Sequence, residues 1–476
     1  MSYSKPSKTP YRVVLVASLF LLSVIAISVV FRRGGLVETV PPAEGRRSPW
    51  EGRVAKSTAR REELGRPDEG WPRFRGPNGS ATSDERGLPL TWSDDQNIVW
   101  KTDLPGPGAS SPITTGDRVF VTCYSGYGVE GEKAAKQDDL LRHLVCIDRA
   151  TGKIVWNQSL KAKLPEDLAD RHLMDHGYAS STPATDGERV YVFFGKSGVF
   201  AFDLGGRRLW RADLDDFPGY MRVGSGASLV VYGELVIVNA SVESSALVAL
   251  DRRTGGEVWK TATLSPTTSS WSTPILVELA DGKQELVTAV PREIWGLNPD
   301  TGKLLWYARS LPEGAQCTSL VAGGDVVYVV SGSGHAALAV RAGGHGDVTK
   351  THVVWKANLG AYVPSPVVHD GYLYWVSDRG IACCVKAESG DVVYKERVPG
   401  AKDFYASVLL ADARLYALSR TQGMFVLAAG PKFQPLAHNE LASDGTQFNG
   451  SPAVSRGQLL LRSNRSLYCI GGTAKP

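Results

Sequence analysis

From Trp71 onward, short apolar runs alternate with Gly- and Asp-rich turns at a nearly constant interval, and two phrases carry the period. The first reads Ser111-Pro-Ile-Thr-Thr-Gly-Asp-Arg-Val-Phe-Val and returns as Thr182-Pro-Ala-Thr-Asp-Gly-Glu-Arg-Val-Tyr-Val, with looser copies starting at Ala227, Thr273, Thr318, Ser365, Ala406 and Ser451. The second closes on a tryptophan. It reads Cys146-Ile-Asp-Arg-Ala-Thr-Gly-Lys-Ile-Val-Trp156, and it recurs from Ala201 to Trp210, from Ala249 to Trp259 and from Gly296 to Trp306. A period near fifty residues predicts stacked supersecondary units, each burying its apolar face against its neighbours, and makes length a poor guide to domain number. A complete copy holds four short apolar runs joined by tight turns, the pattern of a propeller blade. Eight copies predict an all-β, eight-bladed propeller over residues 71–476.

The later copies are worn: the sixth ends in Tyr394 where a tryptophan is expected, the seventh fades near Phe433, and the eighth stops at Leu467-Tyr-Cys-Ile470 without a fourth strand. Asn97-Ile-Val-Trp100-Lys supplies the missing strand, so the ring is expected to close by pairing its two ends and thereby remove its open edges. Trp100, Trp156, Trp210, Trp259, Trp306 and Trp355 are read as structural repeat residues. Each indole offers a large ring to the neighbouring blade, and its N–H needs one acceptor. Thr-Gly supplies a turn in which glycine takes positive φ, and the preceding Asp caps local amides.

Ahead of the repeats, Val13 to Phe31 is apolar except for Ser18, Ser23 and Ser28, and is long enough to span a hydrocarbon core of about 30 Å. Lys5, Lys8 and Arg12 precede it, and Arg32-Arg33 follow without a small-x-small cleavage site. The expected organisation is an N-terminal tail (1–11), an uncleaved transmembrane signal anchor (12–32), a flexible linker (33–70) and the propeller. The expected orientation exports the C-terminal bulk to the periplasmic or extracellular side, although Arg32, Arg33, Arg46 and Arg47 compete under the positive-inside rule. A formal net charge of +4, with 21% charged residues, provides no basic excess for a nucleic-acid backbone.

With these phrases the chain resembles the PQQ-like eight-bladed propellers, a family that holds quinoprotein alcohol dehydrogenases, the outer-membrane assembly propeller BamB and many exported repeat proteins. The resemblance covers about residues 71–476 and speaks to fold more than to activity. Its enzymatic members imply a Ca²⁺-bound quinone, an aromatic floor, an Asp base and, in some, a disulfide between adjacent cysteines. Cys383-Cys384 is such a pair, yet Cys384 occupies the repeat slot of Cys146, Ala201 and Ala249, and neighbours on a strand point to opposite faces. Free buried thiols are therefore expected for all six cysteines. Aligning blade one with blade two places Cys123 opposite Leu144 and Cys146 opposite Val121. No haem, zinc-helix, nucleophile-elbow or phosphate-loop motif occurs.

Function is expected in what does not repeat. Insertions at Ser125–Arg142 and Lys161–Ser180, with the connectors Asp213–Gly226 and Asn439–Gly450, fall on one face of the ring, and Gly343–His352 falls on the other. Residues just before each innermost strand should ring the channel mouth there: His176, Tyr178, Arg222, Trp271, Gln316, Tyr362, Tyr405 and Phe448. They suit a ligand pocket or peptide-binding funnel as well as a simple channel plug. His172, Asp175 and His176 form a close group of potential ligands without a further, distant ligand, so no metal site is assigned. Two functions follow: a membrane-anchored, exported scaffold that binds a protein or peptide and uses no cofactor, or a PQQ- and calcium-dependent oxidoreductase for which Asp175, Asp215, Asp216, Glu313 and Asp403 are unassigned carboxylates.

Overall fold

The computed structural model describes residues 70–471 apart from 132–134, 215–223, 264–269 and 333–334. The expected anchor and nearly all of the linker lie outside them, as does Arg222. Among the described residues no helix is long and apolar enough to cross a membrane.

Eight antiparallel sheets follow one another along the chain at 113–161, 184–212, 230–262, 275–309, 321–357, 367–397, 409–439 and 453–470. They are numbered blades one to eight. In blade two the central strands Arg189–Phe193 and Val199–Asp203 are buried almost throughout, because a blade's two faces both lie against neighbouring blades. Fourth strands form the outer rim and alternate instead: in Glu257–Ala262 Trp259 alone is buried. Blade eight takes its fourth strand from Ile98–Asp103, with Trp100 opposite Cys469, so the ring closes as its sequence requires. Blade seven does complete a fourth strand, Pro435–Asn439, just beyond the faded phrase at Phe433.

One register recurs in every blade. The small slot residue of the third strand faces the tryptophan position of the fourth: Cys146 faces Trp156, Ala249 faces Trp259, Cys384 faces Tyr394 and Cys469 faces Trp100, each with a bulge one step away. Blade to blade, the indoles make a second regular contact. Trp100, Trp156, Trp210, Trp259 and Trp355 donate to the carbonyl oxygens of Arg149, Leu204, Arg252, Pro299 and Ala387, each one position into the third turn of the following blade. A Cβ on the turn glycines Gly152, Gly206, Gly255, Gly302 and Gly390 would lie 2.4–2.8 Å from those rings. The Thr-Gly and Trp of the phrase are therefore partners across blades, not within one.

Trp306 departs from the pattern. Blade five replaces the tight turn with 342–352, whose Gly346–Asp347 pairs in parallel with the rim of blade four. Trp306 turns inward over Gly296, becomes fully buried and donates to Glu285 Oε2 at 2.7 Å, an oxygen that also accepts from the Gly343 amide at 3.0 Å.

Around the axis the innermost strands are joined by a belt of hydroxyls. Main-chain amides of Ser111, Thr182, Ser228, Thr273, Ser319, Ser365 and Ser407 each donate to the Ser or Thr hydroxyl at the same place in the next blade, at 2.9–3.1 Å. The third, fifth and seventh copies thus start at Ser228, Ser319 and Ser407, one residue later than the phrase suggested at Ala227, Thr318 and Ala406. At the opposite end of the channel, the segment leading into the ring acts as a plug. Trp71 and Pro72 pair with Thr114 and Thr185, and Thr82–Ser83 adds a parallel strand to the inner edge of blade seven.

All six cysteines are free, and all but the half-buried Cys317 are buried. Register in blade one differs by one from the blade alignment: Cys123 faces His143 and Cys146 faces Phe120. Cys383 and Cys384 are consecutive residues of a regular strand, opposite Trp375 and Tyr374.

Candidate functional site

The two insertions of blades one and two fold on each other on the loop-bearing face. Tyr124, Leu140, Leu173, Tyr178 and Ala179 form a small apolar cluster beneath them. Arg142 pairs with Glu166 and donates to the Tyr178 carbonyl, while Lys196 pairs with Asp167 at 2.6 Å. This buried network fixes the short helix Arg171–His176 at the channel mouth.

From there the helix reaches the far side of the ring. Its Asp175 carbonyl accepts from Arg420 Nη2 at 3.3 Å and from Asn449 Nδ2 at 3.0 Å. Arg420 also pairs with the Asp175 and Asp403 carboxylates at 3.6 Å and lies 4.2 Å above the Tyr405 ring. A guanidinium stacked on a ring and forked between two carboxylates is a rigid clamp, for which lysine would be a poor substitute. Opposite it, Trp271 donates its indole N–H to the Gly224 carbonyl at 2.8 Å.

These groups enclose a cavity of about 180 Å³ on the axis. Its wall is the hydroxyl belt, all eight members of which line it; Phe74 of the N-terminal plug lines it as well, and Trp271, Tyr362, Tyr405, Asp175 and His176 contribute at the rim. Burial pushes the Tyr405 hydroxyl up to about 12 and the Cys317 thiol to about 12. Both stay protonated at neutral pH, so Cys317 presents no thiolate nucleophile. The cavity can bind through apolar surface, aromatic faces and hydroxyls; its rim also holds His176 Nδ1 and Ser180 Oγ 2.5 Å apart, with the Ser180 hydroxyl in reach of the His176 and Gly177 carbonyls as well.

Of the channel-mouth residues expected from sequence, His176, Trp271, Tyr362 and Tyr405 line this cavity. Tyr178 lies under the insertion with its hydroxyl on the Asp167 carbonyl, and Phe448 packs in the core against Tyr468. Gln316 is buried, donating to the Pro312 and Gly314 carbonyls. Sequence reasoning missed Phe74, Arg420, Asn449 and the belt. The belt did have a signal, a Ser or Thr heading every copy and followed by Pro in five of them. Arg420 and Phe74 had none.

Fold and site together define a closed eight-bladed propeller with a one-faced axial funnel. The family model described as outer membrane protein assembly factor BamB matches residues 125–278 and 346–431, half of the chain. The chain belongs to this PQQ-like, BamB-type propeller family. It is 24% identical over 265 residues to outer membrane protein assembly factor BamB of Yersinia pestis, covering 52% of this chain and 64% of that one. Polyvinylalcohol dehydrogenase of a Pseudomonas species is 25% identical over 181 residues, 35% of this chain and 24% of that one. The chain thus spans less than two thirds of either relative. Among solved structures, BamB from Moraxella catarrhalis superposes with a TM-score of 0.55 at 13% identity, covering 80% of this chain and 98% of that one, which shows the shared fold.

Proposed function

We propose that this protein is a membrane-anchored, exported scaffold whose loop-bearing face binds a protein or peptide partner in the cell envelope. The observation that carries this reading is the aromatic-rimmed funnel, open on the face that bears the insertions and lined at depth by the chain's own Phe74. Leu164, Leu168 and Met174 of the insertion and Tyr362 at the rim are exposed, giving that face the apolar side chains that partner surfaces use. The assembly role printed for the BamB relatives agrees with it.

The enzymatic reading asks for donors around a calcium-bound quinone. Among the described residues no three His, Cys, Asp or Glu side chains gather within reach of one ion. Asp175, the carboxylate lining the funnel, is tied to Arg420. Cys383 and Cys384 lie in blade six, away from the cavity lining, and point apart. Asp215 and Asp216, two of the carboxylates weighed for such a site, lie outside the described residues, and no chemistry is derived through the group.

A photo-crosslinking side chain placed at Tyr362 in the full-length protein should capture the same envelope partner reproducibly, and one at the exposed rim position Val258 should not. Trp271→Ala should weaken capture about tenfold, the loss expected for an aromatic anchor. Equal capture at both positions would sink the proposal, as would a stoichiometric shift in absorbance and melting temperature on adding PQQ with Ca²⁺.

A further inference from the structure

The belt is a bonding scheme with protons left over. Each of Thr182, Ser228, Thr273, Ser319, Ser365, Ser407 and Ser451 accepts one main-chain amide through its hydroxyl oxygen, and among the described residues none has a protein acceptor for its own proton. At the seam between blades eight and one the belt is broken. Ser111 Oγ, in a residue 1% exposed that lines the cavity, has no partner in either role. A buried polar group without a partner calls for explanation by a ligand or water.

A cation lies next to this ring of donors. Arg75 follows Phe74 in the plug and is fully buried; its Nη2 donates to the carbonyl of Pro366, one residue beyond Ser365 and just ahead of the innermost strand of blade six. Its Nε and Nη1 are buried without partners. At the rim, the Asp175 carboxylate is offset by Arg420. The depth of the cavity is therefore rich in donors, with a buried cation behind its wall, and its rim is aromatic.

We infer that the funnel takes a carboxylate on an apolar or aromatic body, head inward on the hydroxyl ring at Ser111. This rests on reading the funnel as the partner-binding site and names the chemistry it selects. A carboxylate accepts several hydrogen bonds at once, and bonds to an ionised acceptor are roughly twice as strong as neutral ones. Two sources carry that group, a peptide C-terminus and a small aromatic acid.

The experiment is calorimetric titration of the full-length protein with Ala-Ala-Leu-Phe as free acid and as amide, and with 2-naphthoate and 2-naphthamide. A free acid should bind at least about tenfold more tightly than its amide, the ratio expected for hydrogen bonds to a charged group. Ser111→Ala should remove most of that preference and Ser111→Thr should retain it, as threonine serves at Thr182 and Thr273. Ser111 Oγ accepts nothing in the belt, so neither change breaks an existing bond. Equal binding of peptide acid and amide, unaffected by Ser111→Ala, would overturn the inference and leave the scaffold reading standing. Selective binding of 2-naphthoate without either peptide would support the carboxylate site and count against a peptide partner. Binding of none of the four ligands would overturn the inference.

Discussion

At the outer rim, five tryptophans make the same bond to the same turn position of the next blade. Around the axis, the positions two residues before the belt differ in every blade: Ala109, Ser180, Gly226, Trp271, Cys317, Val363, Tyr405 and Asn449. Both sets occupy equivalent places on one eightfold frame. The rim positions fill a gap between two blades that has the same shape each time, so the same side chains recur. The axial positions converge on one shared space, where eight identical large side chains would collide. Periodicity thus marks what holds neighbouring blades together, and its loss marks where a ligand can be met.

The sharpest way to break the rim is to crowd it. Gly255 has φ +75°, and a Cβ there would lie 2.7 Å from the Trp210 ring, so Gly255→Val should cost about 4 kcal/mol from backbone strain and overpacking together. Gly233 shares the positive φ, at +53°, without a neighbour within 4 Å; Gly233→Ala should cost about 1 kcal/mol. Urea unfolding of the two variants separates steric locking from conformation alone, and equal losses would refute the lock.

The exception at Trp306 gives the next largest effect. Glu285→Ala leaves the Trp306 indole and the Gly343 amide without their acceptor in a buried place and should cost about 3 kcal/mol, with Glu285→Gln recovering most of it. A loss under 1 kcal/mol in thermal melts would mean that the inserted segment, not Glu285, holds this junction.

On the loop face, Glu243 sharpens the contrast through pH. Burial lifts its carboxyl to about 7 from an ordinary 4.5, against the Ser225 hydroxyl that donates to it. Between those values the folded chain holds more protons than the unfolded one. Stability from this group is therefore complete below 4.5 and is lost as pH rises through 7. Glu243→Gln should gain about 2 kcal/mol relative to the parent between pH 5 and pH 8. Parallel stability curves for the two proteins would show that Glu243 does not titrate in this window.

The smallest effect lies in the belt itself. Ser228→Ala removes the acceptor of the Thr182 amide and should cost about 1 kcal/mol, whereas Ser111→Ala should change stability by less than about 0.5 kcal/mol. If the two variants melt alike, the belt contributes no measurable hold.

Much of the frame was legible because each lock joins positions related by the period. Cys384 is legible as a slot residue because it stands where Cys146, Ala201 and Ala249 stand in their copies, and Trp100 as the closing strand because blade eight lacks one; the register opposite Tyr394 and Cys469 agrees with both. Site residues were legible only in part. His176, Trp271, Tyr362 and Tyr405 stood at the expected end of their connectors, but Tyr178 and Phe448 stood there too and turned inward, because the insertion and blade eight needed core.

By itself the sequence determined the ring: eight units, their order, their inter-blade tryptophans and their closure, since these depend on near-neighbour contacts that a repeated phrase can specify. Tertiary structure alone decided the funnel. Arg420 meets Asp175 across 245 residues, Phe74 of the N-terminal plug lines the same cavity, and the unpartnered Ser111 hydroxyl marks the seam where blade one meets blade eight. No local pattern records a meeting of side chains so distant along the chain, because their juxtaposition exists only after all eight blades have closed around one axis.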